Sequence, residues 1–543
     1  MNRAKSLPLF HLAAGLALFV PAIIEGFWQM LMRSPLPAPL DDTNAYYASV
    51  TAHGSTMAYI FPTFFAMGFG YVIVQDALQQ ELIGLRWAWG AFWAALAGSI
   101  MAIVPIAVGR ASVLYTFYPP LMGSPFYYLG VVLVILASYV WVVLMLVNMR
   151  AWKREHPGEP VPLPMFAIAA TALLWGMTAL GVSSEVIFLI FPAAFGWTHS
   201  IDPGLARTLF SFTLHAIVYF WLLPAYIAYY TILPRAAGGR LYSDTMGRIA
   251  FILFLVFSLP VGMHHLFMDP EHGSGFKFVQ SVLTFFVALP TLLTVFSITA
   301  SLEVAGRARG GKGVIRWIRR LPWNEPMVLA VGLSLIMLGL GGFGGLINMS
   351  YAMNAMIHNT SWVTAHFHLI YGGAVVIVYF AIYYSLWPRL TGRALISSRL
   401  ACQQLWLWFI GMIVTTIPWH VAGLMGQPRR YANFDYSDPL VAKMAPLVIL
   451  SVIGGLIIVS SVILLCYILA RSLSTVAVES PRVKFAIAVN PPTSVPAVLN
   501  GFGFWTVLTV CLIFVSYGYP IAEFFMLPDH SVPVNSLTRE MVK

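Results

Sequence analysis

His358-Asn-Thr-Ser-Trp-Val-Thr-Ala-His366-Phe-His368 opens an apolar run that continues to residue 385. An imidazole inside such a run is costly unless it finds a partner. If the run is helical, each residue turns the side-chain direction by about 100°, so His366 and His368 point about 200° apart. They cannot share one metal ion, but each can ligate a different group on either side of one helix.

Outward from this stretch the chain keeps the same character. Of its 543 residues, 59% are hydrophobic and only 9% charged, where a soluble domain carries about 25%. Runs long enough to span a bilayer as helices recur near residues 8–31, 53–76, 87–109, 125–149, 163–194, 206–234, 249–268, 276–300, 326–349, 361–385, 402–425, 444–470 and 499–526. The reading is an all-α polytopic membrane bundle of thirteen helices, one domain over residues 1–543, without internal repeats. Met1 to Phe10 puts Arg3 and Lys5 ahead of an apolar run that holds Glu25, which reads as a retained first helix and not a signal peptide. With the N-terminus cytoplasmic and the C-terminus outside, the 30 Lys and Arg residues favour the cytoplasmic face by more than two to one. The net charge of +10 is spread over several loops, so a lipid membrane surface fits it and a nucleic-acid partner does not. The loop near 301–325, with Arg319 and Arg320, meets anionic headgroups on this reading. Cys402, Cys466 and Cys511 share no ligand spacing and read as packing residues.

His53, His215 and the pair His264-His265 join His366 and His368 inside apolar spans, each toward the outer half of its span. A common depth points to one site. Adjacent histidines on a helix diverge by about 100° and can reach a single metal, with His215 as a third nitrogen ligand. Tyr219 returns to the His215 face four residues later, where a phenol can give up both a proton and an electron. His366 and His368, facing apart, suit axial ligation of two different haems.

These stretches are similar to the ligand-bearing motifs of subunit I of the haem-copper oxidase superfamily. The motifs are Thr51-Ala-His-Gly, His215-Ala-Ile-Val-Tyr219 on through Tyr226, Val261-Gly-Met-His264-His265 and the His366-Phe-His368 stretch, in the same order. The resemblance implies that His53 and His368 ligate a low-spin haem, His366 a high-spin haem with an open position, and His215, His264 and His265 the copper called CuB. It implies that Tyr219 is the active-site tyrosine joined covalently to His215, and that Arg429 and Arg430 hold haem propionates. The implied activity is reduction of dioxygen to water, coupled to proton uptake or translocation, in a prokaryotic plasma membrane. An oxidase subunit II would carry any CuA centre, since this chain has no cysteine cluster for one, and small subunits could join it. Cytochrome c or a quinol would donate the electrons.

Within the superfamily the chain is most similar to the B-type oxidases. Ile217 stands where the A-type has a helix glutamate, while Tyr219, Tyr226 and Tyr230, with Thr291, Thr294 and Ser297, resemble the B-type proton path. Their helical spacing gives each set one face. Glu185, deep in the fifth span, is a further candidate for proton handling. The stretch Ser211-Phe-Thr-Leu214-His215-Ala216 departs from the family's Trp-x-x-Gly-His-Pro, with Leu214 for glycine and Ala216 for proline. That keeps a nitric oxide reductase of the same superfamily as the nearest rival. A cation-coupled transporter, which predicts no visible absorption, is the rival from another class.

Overall fold

The computed structural model describes residues 3–534 apart from positions 41, 118, 480 and 527–529; Arg539 and Lys543, at the C-terminal end read as outside, lie outside the described residues. Thirteen described helices are long and apolar enough to cross a membrane, the number expected. They are α1 (Arg3–Met32), α2 (Thr43–Ala77), α3 (Leu85–Ala107), α4 (Pro125–Glu155), α5 (Leu163–Ala194), α6 (Pro203–Thr231) and α7 (Asp244–Leu266). The chain continues with α8 (Ser274–Ala308), α9 (Pro326–Met349), α10 (Ser361–Thr391), α11 (Ser398–Leu424), α12 (Ala445–Ser472) and α13 (Gly503–Phe524). Helix α3 runs along α4, α5 along α6, and α11 along α12. The helices that bear the predicted ligands are the inner ones. Helices α2, α6 and α10 have 94%, 83% and 83% of their apolar windows buried, against 22% for α13. A two-residue pair, Ser200–Ile201 with Val532–Pro533, is the one antiparallel ladder among the described residues.

Three inner spans are not regular α-helices. Wider π turns occupy Thr56–Ile60 in α2, Val186–Ile190 in α5 and His368–Val375 in α10. Insertions of this kind free backbone groups for other partners. In α2 the cause is legible: Pro62 has no N–H to give the Ala58 carbonyl, which instead accepts Trp221 Nε1–H of α6 at 2.8 Å. One residue earlier, the Met57 carbonyl accepts the Tyr371 hydroxyl of α10 at 3.0 Å. The bulge thus ties the three inner helices together.

The largest departure from the sequence expectation is in α7. Its α-helix ends at Ser258, and His264 and His265 sit on a separate 3₁₀ turn, Met263–Leu266. Pro260 disfavours helical geometry in the residue before it. Gly262 then passes so close to the Ser211 carbonyl and the Tyr517 hydroxyl that any side chain there would collide with them. The two histidines are therefore presented by a tight turn pressed against α6 and not by a helix face. Other ends also differ: α2 begins earlier, at Thr43, α10 runs on to Thr391, α8 continues to Ala308, held by Arg307 Nε donating to Glu303 Oε1 at 2.7 Å, and α4 continues to Glu155.

Arg389, in the last turn of α10, is buried. Its guanidinium donates to both Asp76 oxygens at 3.0–3.2 Å and to Gln75 Oε1 at 3.0 Å, and the Val483 N–H caps Asp76 Oδ2 at 2.9 Å. Removing one partner of such a pair costs about 3–5 kcal/mol, because the other charge stays buried. Asp76→Ala is expected to lower the melting temperature of the purified complex by several degrees in a thermal-unfolding scan, leaving its visible spectrum at low temperature unchanged.

Candidate functional site

His215 comes from the middle of α6, and the turn after α7 brings His264 and His265 against it. One ligand atom from each lies within 4.8 Å of the others. His215 Nε2 shares a hydrogen bond with Tyr219 Oη at 3.0 Å, which leaves Nδ1 for the cluster. His264 Nδ1 meets Thr284 Oγ1 of α8 at 3.3 Å, and that hydroxyl donates to the Gln280 carbonyl, so His264 Nδ1 is the donor and Nε2 is free. His265 Nε2 is buried with no protein partner. Three converging imidazoles, one of them orphaned and the other two oriented through their second nitrogen, form a donor set that fits a copper ion.

The unusual residues before His215 take part in this arrangement. Ser211 Oγ donates to the Thr208 carbonyl at 2.7 Å and lies 3.0 Å from Met263 Sδ, pinning the histidine turn to α6. Leu214 lines the same cavity as the three histidines, where glycine would leave space. With Ala216 in place of proline, α6 stays helical from Pro203 to Thr231.

His366 faces this cavity from α10. Its Nδ1 is held by the Gly341 carbonyl of α9 at 2.9 Å. A side-chain carbon at Gly345 would come within 3.1 Å of His366 Cε1, so glycine there gives the ring its room. His368 turns the other way. Its Nδ1 bonds the Thr364 carbonyl at 2.8 Å, and its ring faces that of His53 with centroids 6.1 Å apart and planes within 18°. His53 Nδ1 is in turn held by the Ala22 carbonyl of α1 at 2.7 Å. Each Nε2 is thereby aimed into the space between α2 and α10, as opposed axial ligands require. That space is an apolar cleft walled by Phe19, Phe27, Met412 and Trp419. Phe367, between the two histidines, lines both clefts.

The outer rims of the clefts are basic. Arg429 and Arg430 line the His366 cavity, and Arg429 donates to Asn359 Oδ1 at 2.8 and 3.2 Å. Arg33, at the end of α1, reaches both clefts and donates to the Pro428 carbonyl at 2.8 Å. Burial and the neighbouring Arg429 charge push His358, in the loop before α10, down to about 4, so it is neutral at pH 7. A flat apolar macrocycle with carboxylates at one edge matches two apolar clefts that share a cationic rim.

The predicted proton-path residues also come together. Tyr230 Oη donates to Thr294 Oγ1 at 3.2 Å, and Thr294 donates onward to the Pro290 carbonyl at 2.8 Å. Ser297 Oγ, one turn along α8, faces Tyr230 but is otherwise unpartnered. Tyr226 faces Thr291 without a hydrogen bond of good geometry. Tyr219 lies seven residues further out, roughly 10 Å along the helix axis. Glu185 stands apart from this row, fully buried in α5 and within electrostatic reach of Tyr128 of α4.

Sequence reasoning missed Arg33 and Thr284. Neither carries a local signal, since each reaches the site through tertiary packing, although an arginine ending an outer-facing span was a usable hint.

The model for the family described as Cytochrome C and Quinol oxidase polypeptide I matches residues 7–457. The chain is 37% identical to cytochrome c oxidase subunit 1 of Thermus thermophilus over 537 residues, covering 96% of this chain and 95% of that one. It is 28% identical to cytochrome c oxidase subunit 1 of Thermostichus vulcanus, covering 82% of this chain and 80% of the relative. A solved haem-copper terminal oxidase dimer superposes with a TM-score of 0.94 at 33% identity, covering 98% of this chain and 95% of the other.

Proposed function

Because the chain belongs to the cytochrome c and quinol oxidase polypeptide I family and is the catalytic subunit of a terminal oxidase, we propose that it reduces dioxygen to water in the cavity between His366 and the His215, His264 and His265 cluster. The observation that carries this reading is the three converging imidazoles opposite His366, with Tyr219 bonded to one of them. On this reading His53 and His368 hold a low-spin haem, His366 a high-spin haem, and the cluster holds CuB. When bound, the high-spin haem and copper would supply the site of dioxygen reduction and the low-spin haem the electrons that reach it, four per dioxygen.

The protein's own residues do the rest. Tyr219, held by its hydrogen bond with His215 Nε2, stands where its own hydroxyl can deliver a proton into the cavity. Arg429, Arg430 and Arg33 anchor carboxylates at the rim, and Phe367 stands between the two haem ligands of α10. Protons arrive from the cytoplasmic side by way of Ser297, Thr294, Tyr230, Thr291 and Tyr226. In the present geometry Thr294 gives its proton to Pro290, so transfer along the row needs that hydroxyl to rotate. The spacing between Tyr226 and Tyr219 calls for bridging water. This hydroxyl row, with Ile217 in place of a helix glutamate, supports the B-type assignment. Thr294→Val keeps the shape and removes the hydroxyl; turnover is expected to fall about tenfold, a barrier rise of about 1.4 kcal/mol, with the haem spectrum unchanged.

The chain is a multi-pass membrane protein, and the basic-residue bias supports a prokaryotic plasma-membrane setting with the N-terminus cytoplasmic. A subunit II carrying CuA and fed by cytochrome c supplies the electrons on this reading. The test is a reduced-minus-oxidised spectrum of the purified complex together with its O2 and NO consumption. Two sets of haem bands and faster O2 than NO turnover are expected. Preferential NO turnover would transfer the assignment to nitric oxide reduction, the outcome that Leu214 and Ala216 make worth measuring.

A further inference from the structure

Glu185 takes no part in the mechanism above, yet its placement is demanding. It lies inside α5 with no exposed surface, and neither carboxyl oxygen has a hydrogen-bond partner. None of the ion pairs among the described residues includes it. An ionised carboxylate in that position would have no compensating charge, so the group is held as the neutral acid.

Among the packed helices, α4 supplies the titratable neighbour, Tyr128, whose Oη accepts the Gly123 N–H at 3.0 Å and so keeps its own proton to give. Helix α6 offers Thr213, but that hydroxyl is committed, donating to the Thr178 carbonyl and accepting the Val182 N–H, each at 2.7 Å. Beside Tyr128, Tyr127 shares a 2.7 Å hydrogen bond with Ser55 of α2, two residues beyond His53. The π turn Val186–Ile190 begins immediately after Glu185, so its backbone leaves the regular helical ladder at the point where the acid projects.

We propose that Glu185 is a proton-holding acid, separate from the tyrosine–threonine row, whose O–H bond responds to the redox state of the group held between His53 and His368. The proposal rests on the haem assignment above. An electron arriving in that cleft adds negative charge to an interior that screens it poorly, and a neutral acid in that interior holds its proton more strongly; oxidation weakens the hold. The acid stays protonated in both redox states, and only the strength of its O–H bond and its hydrogen bonding change.

Redox-induced infrared difference spectroscopy of the purified complex tests this. The wild type is expected to show a carboxylic C=O band that differs between the two redox states and shifts down in D2O. That band should vanish in Glu185→Gln and move in Glu185→Asp, with the visible haem bands retained in both. If Glu185→Gln keeps every carboxylic band of the wild type, or if the wild type shows none, the proposal is overturned. Should Glu185→Gln fail to assemble, the Asp variant decides alone: a displaced band supports the proposal and an unmoved one refutes it. Absence of haem bands from the wild-type visible spectrum would instead overturn the oxidase reading itself, so the two failures are distinguishable.

Discussion

His366→Ala is expected to leave a folded complex that keeps the low-spin haem spectrum and loses O2 consumption at least about a hundredfold, a barrier rise of about 2.7 kcal/mol. The argument is positional. His366 and His368 are two residues apart, yet their second nitrogens are fixed by different carbonyls, Gly341 on α9 and Thr364 on α10 itself. Their rings therefore turn different ways, and deleting His366 leaves the proposed ligand pair of His53 and His368 in place. Alanine suits the helix backbone, so the loss falls on the site and not on the fold. His368→Ala should give the complementary result, losing the low-spin bands. Pyridine haem quantification and visible spectra of both variants check the split. If either variant loses both spectral signatures while remaining assembled, the assignment of the two histidines to separate haems is wrong.

How far the sequence reaches depends on which force dictates each feature. Lipid allows no unsatisfied backbone, so long apolar runs had to be helices and all thirteen were legible. Ends set by water-facing chemistry were less so: α8 extends past its apolar run because the Glu303–Arg307 pair continues the helix into solvent. The i, i+4 relation of His215 to Tyr219 needed only helical geometry, and the hydrogen bond between them follows it. The 100° argument for His264 and His265 assumed a helix that Pro260 and Gly262 do not permit; the two still converge on His215, but through a 3₁₀ turn. The Asp76–Arg389 pair joins residues 313 positions apart, and no local pattern announces it. Arg389 could be counted as a loop charge until the packing of α2 against α10 was known.

Tyr219→Phe isolates the proton from everything else in the cavity. The phenyl ring keeps the packing against Phe254, whose ring centroid is 5.6 Å away, and removes only the hydroxyl. His215 Nε2 then loses its 3.0 Å partner, but Nδ1 still points to the cluster, so copper content and both haem spectra should match the wild type. General acid contributions of this kind are worth about 10²–10⁴ in rate, and O2 turnover is expected to fall within that range. The same variant separates delivery from the rest of the path. On the proposed path, Thr294→Val slows proton arrival at a row that still ends in an acid, whereas Tyr219→Phe removes the row's last acid. The two substitutions lie on one route, so the double variant should be no slower than Tyr219→Phe alone. Additive losses in the double variant, measured as O2 consumption at matched haem content, would place Tyr219 and Thr294 on separate routes.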